Sequence, residues 1–289
     1  MKQIPQDHAE RLFRKVRNGI VLIYPGVFAV FILAFISPRL QIPFVSRITG
    51  VLLVLIFLAG FLSIPVFVIS YLSGISLLSL TVRMNNDITG DGMITRLERA
   101  ARLNFIQRRK ILSLLADALI YRGETGRALE VLDRINPRSD RERMGIMLSR
   151  TFIYDITGDS VNVTACEDEA DAIVERHMNN LDIVKYYLTV SMRIYKARGE
   201  YETALGICDR LISLSQSAGN NANSKARQML RTFALSQGIF SYYRAELLYL
   251  MGYYDAAGET LYTAMPDLAH SSFMADKGTQ LMMAIQSRR

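Results

Sequence analysis

Apolar positions follow two different patterns along this chain. Between residues 19 and 82 they run almost without interruption, and the stretches 19–38 and 48–82 contain no charged side chain. From residue 95 onward they recur three and four apart, with few β-branched runs and no strand-like alternation, which is the period of an amphipathic helix. The expected fold class is therefore all-α: an N-terminal transmembrane helical hairpin followed by a long region of packed helices. The first stretch matches the ~20 residues a helix needs to cross a bilayer core. The second has 35 uncharged residues. At about 1.5 Å of rise each it would reach roughly 50 Å, well beyond a ~30 Å hydrocarbon core. The spans are accordingly set at 19–38 and 50–75, the second kinked at Pro65, with its apolar run continuing to 82.

This gives a basic N-terminus at 1–18, a short external loop at 39–49, a juxtamembrane turn and capped helix at 83–105, and a helical domain at 106–289. The net charge of +7 is unevenly placed. Lys2, Arg11, Arg14, Lys15 and Arg17 precede the first span, Arg39 and Arg47 lie between the spans, and Arg83, Arg96, Arg99 and Arg102 follow the second. Lys and Arg concentrate on the cytoplasmic side of membrane proteins. The expectation is an integral membrane protein with two spans and both termini cytoplasmic. The basic balance then reports orientation and not nucleic-acid binding. The run 96–110, with Arg108, Arg109 and Lys110, is a candidate contact for anionic lipid, at about 1 kcal/mol per basic residue near a membrane surface.

Four segments of the helical region share a layout. They are "ALIYRGETGRALEVLDRIN", "TFIYDITGDSVNVTACEDEA", "SMRIYKARGEYETALGICDRL" and "ELLYLMGYYDAAGETLYTAMP". In each, an aromatic-bearing helix ends at a glycine (Gly123, Gly158, Gly199, Gly252), and a small residue follows five positions later (Ala128, Val163, Ala204, Ala257). Glycine closes a helix in a conformation that other residues resist. The small residue lets the next helix approach closely. Pro137 and Pro266 each follow a helical stretch as stop signals, 215–228 reads as an inserted linker, and the C-terminal segment reads as a helix capping the last unit.

These segments resemble the tetratricopeptide repeat family, in degenerate form. The glycines lie 35, 41 and 53 residues apart, against about 34 in the family. The resemblance implies an α-solenoid of helix pairs whose first helices line a concave groove for a protein or peptide partner. By register it places Lys110, Asp117 and Tyr121 in that groove from the first unit, Tyr186, Arg193 and Lys196 from the third, and Tyr242, Glu246 and Tyr249 from the fourth. Arg193 is expected to stand in the open on this face.

The stretch "DITGDGMITRLE", 87–98, permits two readings. As a calcium loop it offers Asp87, Thr89, Asp91, Thr95 and Glu98 at positions one, three, five, nine and twelve. The Met93 carbonyl falls at seven and Gly92 at the turn. As a capped helix start, Thr95 is the N-cap and Glu98 reaches back to it. The pentapeptide "DITGD" recurs at 155–159 without an acidic residue at position twelve, which favours a turn.

Catalytic chemistry has little support. His8, His177 and His270 lack metal-ligand neighbours at helical spacing, and no phosphate-cradling loop or nucleophile signature appears. Cys166 and Cys208 form no C-x-x-C motif and read as isolated thiols. The expectation is a non-enzymatic, cofactor-free, membrane-anchored scaffold or adaptor that binds a protein partner and no nucleic acid. Two alternatives stay open: a calcium-responsive membrane protein using the 87–98 loop, and an accessory subunit of a larger membrane assembly.

Overall fold

A computed structural model describes residues 68, 73–77, 79–81, 91–104, 106–220 and 230–288. The chain divides into two units, Met1–Ser79 and Leu80–Arg289, and the helices below belong to the second. They are α1 (Asp91–Leu103), α2 (Arg108–Tyr121), α3 (Thr125–Asp133), α4 (Asp140–Thr157), α5 (Ser160–Thr164), α6 (Glu167–Arg176), α7 (Leu181–Ala197), α8 (Tyr201–Asn220), α9 (Leu230–Leu250), α10 (Tyr254–Leu268) and α11 (Ser272–Gln286). No strand occurs among the described residues, so the all-α class holds for them.

The helices form where local chemistry satisfies their ends. Ser139 begins α4 by accepting a hydrogen bond from the Glu142 amide at 3.2 Å, with Asp140 and Glu142 in the positive first turn. Glu142 turns its own carboxylate back to the Arg138 amide at 2.8 Å. Asn180 caps α7 in the same way, and Asp159 caps α5.

At the far ends, Gly123, Gly158, Gly199 and Gly252 all take φ between 78° and 85°. Each makes the same pair of bonds. The Gly199 amide donates to the Lys196 carbonyl and the Glu200 amide to the Tyr195 carbonyl, with equivalent pairs at the other three turns. These are the two bonds of the Schellman motif, which needs a left-handed residue at this position. Five residues on, Ala128, Val163, Ala204 and Ala257 are each fully buried. The left-handed glycine turn and the buried residue five positions on thus match the sequence pattern.

Successive helices pack against one another: α2 on α3, α4 on α7, α7 on α8, α8 on α9, α9 on α10 and α10 on α11. One apolar cluster joins Met144 and Met147 of α4 to Val163, Ala170 and Ile173 of the short helices and to Ile183, Val190 and Ile194 of α7. Its side chains recur at helical spacing on each element, so burying them fixes the rotation of α4 and α7. The last helix does more than cap α10. Ser271, fully buried, accepts from the Met274 amide as N-cap of α11 and donates to the Tyr121 carbonyl at 2.7 Å. Lys277 donates to the Ile156 carbonyl at 3.3 Å. Its helix therefore ties the end of the chain to the C-terminal turns of α2 and α4.

Four expectations change. Residues 91–98 are continuous helix, so Thr95 is not an N-cap and the helix begins earlier than its side-chain pattern implied. Residues 215–220 belong to α8 instead of a linker, while 221–228 lie outside the described residues. Pro266 sits inside α10, which ends at Leu268. The localisation also needs correction. Among the described residues no helix is long and apolar enough to cross a membrane, which overturns the assignment as an integral membrane protein with two spans and cytoplasmic termini. Even α9, at 21 residues, carries Arg231, Arg244 and Glu246, a charge load that opposes insertion. The segments 1–18, 19–38 and 39–49, and 50–75 apart from 68 and 73–75, lie outside the described residues.

Candidate functional site

The inner faces of α2, α4, α7 and α9, with Leu211 of α8, enclose a half-open cavity of about 320 Å³. Much of its wall is apolar, including Ile120, Leu148, Phe152, Leu211, Ile239 and Phe240. Polar groups enter at defined points: Asp117 and Tyr121 from α2, Ser149 from α4, Lys185, Tyr186, Thr189 and Arg193 from α7, and Ser236 from α9. The α7 set is spaced three to four apart, so one stripe of that helix faces the cavity.

Arg193 is only 4 % exposed, which corrects its expected position in the open. Its Nη1 donates to the Leu148 carbonyl at 2.8 Å and to Thr151 Oγ1 at 3.2 Å, and its Nε donates to the Tyr243 hydroxyl at 3.2 Å. The guanidinium lies over two rings, 4.9 Å from the centre of Phe152 and 5.4 Å from that of Tyr243. Such contacts suit a weakly hydrated, delocalised cation.

Beside the cavity, Lys196 bridges two carboxylates. Its Nζ is 2.7 Å from Asp155 Oδ1 and 2.7 Å from Glu246 Oε2, and it sits 5.0 Å from the Tyr243 ring centre. Burial pulls the lysine pKa down, but Glu246 and Asp155 attract the charged form more strongly and leave it raised. Burial pushes Glu246 up, against the attraction of Lys196. Asp155 Oδ2 is buried without a hydrogen-bond partner.

Burial also raises Asp117 to about 6, with the Ser149 hydroxyl, 3.5 Å away, acting in the opposite direction. Tyr121 stands near two of the cavity's charges, Asp117 and Arg193. Burial raises its pKa, Asp117 adds to the rise, and Arg193 opposes it. Burial lifts the Cys208 thiol to about 12, and its Sγ donates to the Phe240 carbonyl at 3.3 Å.

Four of the nine groove residues read from sequence therefore share one cavity: Asp117, Tyr121, Tyr186 and Arg193. Lys196 and Glu246 join the adjacent ion cluster, and Tyr242 packs edge-on against Tyr243 at 5.8 Å. Lys110 is exposed in the first turn of α2, and Tyr249 packs on Tyr254 at 5.6 Å where α9 turns into α10. Sequence reasoning missed Lys185, Thr189, Phe152, Asp155 and Tyr243. The positions 185, 189, 193 and 196 form a polar stripe at helical spacing, so the first two were findable. Asp155 and Tyr243 gave no signal of their own.

Of the proposed calcium ligands, Asp91, Met93, Thr95 and Glu98 stand on α1, with Met93 buried and Glu98 paired to Arg127 at 2.8 Å. Asp87 and Thr89 lie outside the described residues. Among the described residues no cluster of three or more His, Cys, Asp or Glu side chains could hold a metal ion. The basic residues of 96–110 are divided between α1 and α2, and Arg109 is taken by Glu142 at 2.7 Å. His177 is half-buried 3.0 Å from Asp140. No family model, curated protein or solved structure matches the chain.

Proposed function

We propose that the Leu80–Arg289 unit is a binding module of tetratricopeptide type, an adaptor that holds a protein partner against the inner faces of α2, α4, α7 and α9. The observation that carries this reading is the convergence of Asp117, Tyr121, Tyr186 and Arg193, from two helices far apart in sequence, on one half-open cavity. The four matching Gly turns support the repeat architecture. The mixture of apolar wall and fixed polar groups is what a recognition site needs: area for affinity and a few placed donors for orientation. Tyr121 and Tyr186 in its wall supply contact area with little entropy to lose on binding.

Affinity capture with the full chain tests this reading. Wild type is compared with Lys185→Glu, which reverses a charge on the cavity wall, and with Tyr262→Ala, whose side chain is 75 % exposed on α10. The expected result is a defined partner retained by wild type and by Tyr262→Ala and lost by Lys185→Glu, with the melting temperatures of all three alike. Equal capture by Lys185→Glu and wild type would remove the cavity from the reading.

A further inference from the structure

We propose that the cavity bounded by α2, α4, α7 and α9 is a site for a small organic anion, a monocarboxylate on a compact apolar body. The argument begins with Arg193. Its side chain is withdrawn from water, yet each of its hydrogen bonds ends on a neutral acceptor: a carbonyl and two hydroxyls. Among the described residues no carboxylate forms an ion pair with it, its bonds being those to Leu148, Thr151 and Tyr243. The neighbouring cation is treated differently, since Lys196 meets two carboxylates at 2.7 Å each. Tyr243 lies between the two systems and touches both cations with its ring.

Asp155 and Glu246 stand across Tyr243 and are shared with Lys196, and a buried cation with no carboxylate bound to it directly is costly. Its three bonds use Nε and Nη1, and among the described residues no bond engages Nη2. A guanidinium in this state is suited to a carboxylate, which accepts charge-assisted hydrogen bonds from its planar fork.

The rest of the wall narrows the ligand. A volume of about 320 Å³ is at the low end of the ~300–1,000 Å³ range of small-molecule pockets. Ile120, Phe152, Ile239 and Phe240 call for an apolar body. Lys185 adds a second cation and Asp117 one carboxylate, so the ionised wall carries one net positive charge. That charge complements a monoanion. It would compensate poorly for stripping water from a dianion such as phosphate, to which the apolar walls offer nothing.

The test is calorimetric titration of the full chain near neutral pH with three carboxylates (hexanoate, cyclohexylacetate and 4-phenylbutyrate), with their neutral amides, and with inorganic phosphate. At least one acid should bind roughly tenfold or more tightly than its amide, and phosphate should give no heat. In Arg193→Met the preference for acid over amide should vanish, and in Lys185→Met it should weaken. If Arg193→Met does not fold, the acid-against-amide comparison on wild type decides alone. Equal binding of acid and amide, tighter binding of phosphate, or no binding of any acid at millimolar concentration would overturn the proposal. The inference rests on the charge and shape of the cavity and not on the adaptor role. Acid binding without partner capture would leave it standing and remove the adaptor, and capture without acid binding would do the reverse.

Discussion

The Arg193 Nε donates to the Tyr243 hydroxyl at 3.2 Å, joining residues fifty positions apart on α7 and α9. The two helices are separated in sequence by α8, so this bond and the Lys196–Glu246 ion pair tie α7 to α9 across it.

Tyr243→Phe should destabilise the fold by about 1–3 kcal/mol, because the ring stays while the buried Arg193 Nε loses its acceptor. Chemical denaturation of wild type and variant measures it. An unchanged midpoint would show that the bond contributes nothing net.

The glycine turns predict a contrast within nine residues. Gly199 takes φ +81°, so Gly199→Ala should cost roughly 1–2 kcal/mol despite open space around it. Gly206 is an exposed residue of α8 with nothing near its missing Cβ, so Gly206→Ala should stabilise by about 0.5–1 kcal/mol. Opposite shifts in melting temperature are expected from the same chemical change.

Ala204→Leu places three further carbons in a fully buried seam and should cost roughly 1–3 kcal/mol through overpacking. Thermal unfolding reads it, and a neutral result would mean that α7 and α8 are further apart at Ala204 than its burial indicates.

The features legible in sequence were those set by local chemistry. A helix ending in the left-handed conformation selects glycine, and close helix approach selects a small residue, so four turns and four contact points could be read directly. The polar stripe on α7 could be read in part, because helical period places Tyr186, Arg193 and Lys196 on one side. Whether that side is open or closed could not be read. It depends on Phe152 and Tyr243 covering Arg193 from other helices, a tertiary fact with no local signature. The start of α1 was misjudged for a related reason: the second "DITGD" closes α4 and turns at Gly158, whereas in the first copy only Asp91 is among the described residues, as the first residue of α1.

Asp117 should give the domain a pH signature. Its folded carboxyl holds a proton to about 6, against 3.8 for an ordinary aspartate. The folded state therefore binds the proton more tightly. The stability this contributes is fully present below about pH 4 and is lost as pH rises through about 6. Asp117→Asn removes the titration, so its stability relative to wild type should rise between pH 4 and pH 7. Denaturation midpoints across that window report the difference, and parallel pH profiles would contradict it.

If the cavity between α2, α4, α7 and α9 is the partner site proposed above, a bound partner lies within reach of its wall. Site-specific photo-crosslinking tests it most directly, with one photoreactive residue replacing Tyr186 at the cavity or Tyr262 on the exposed side of α10 in the full chain. The account predicts a single partner segment, identified by peptide mapping, attached from position 186 and absent from position 262. Attachment of that segment from position 262 and none from 186 would contradict it.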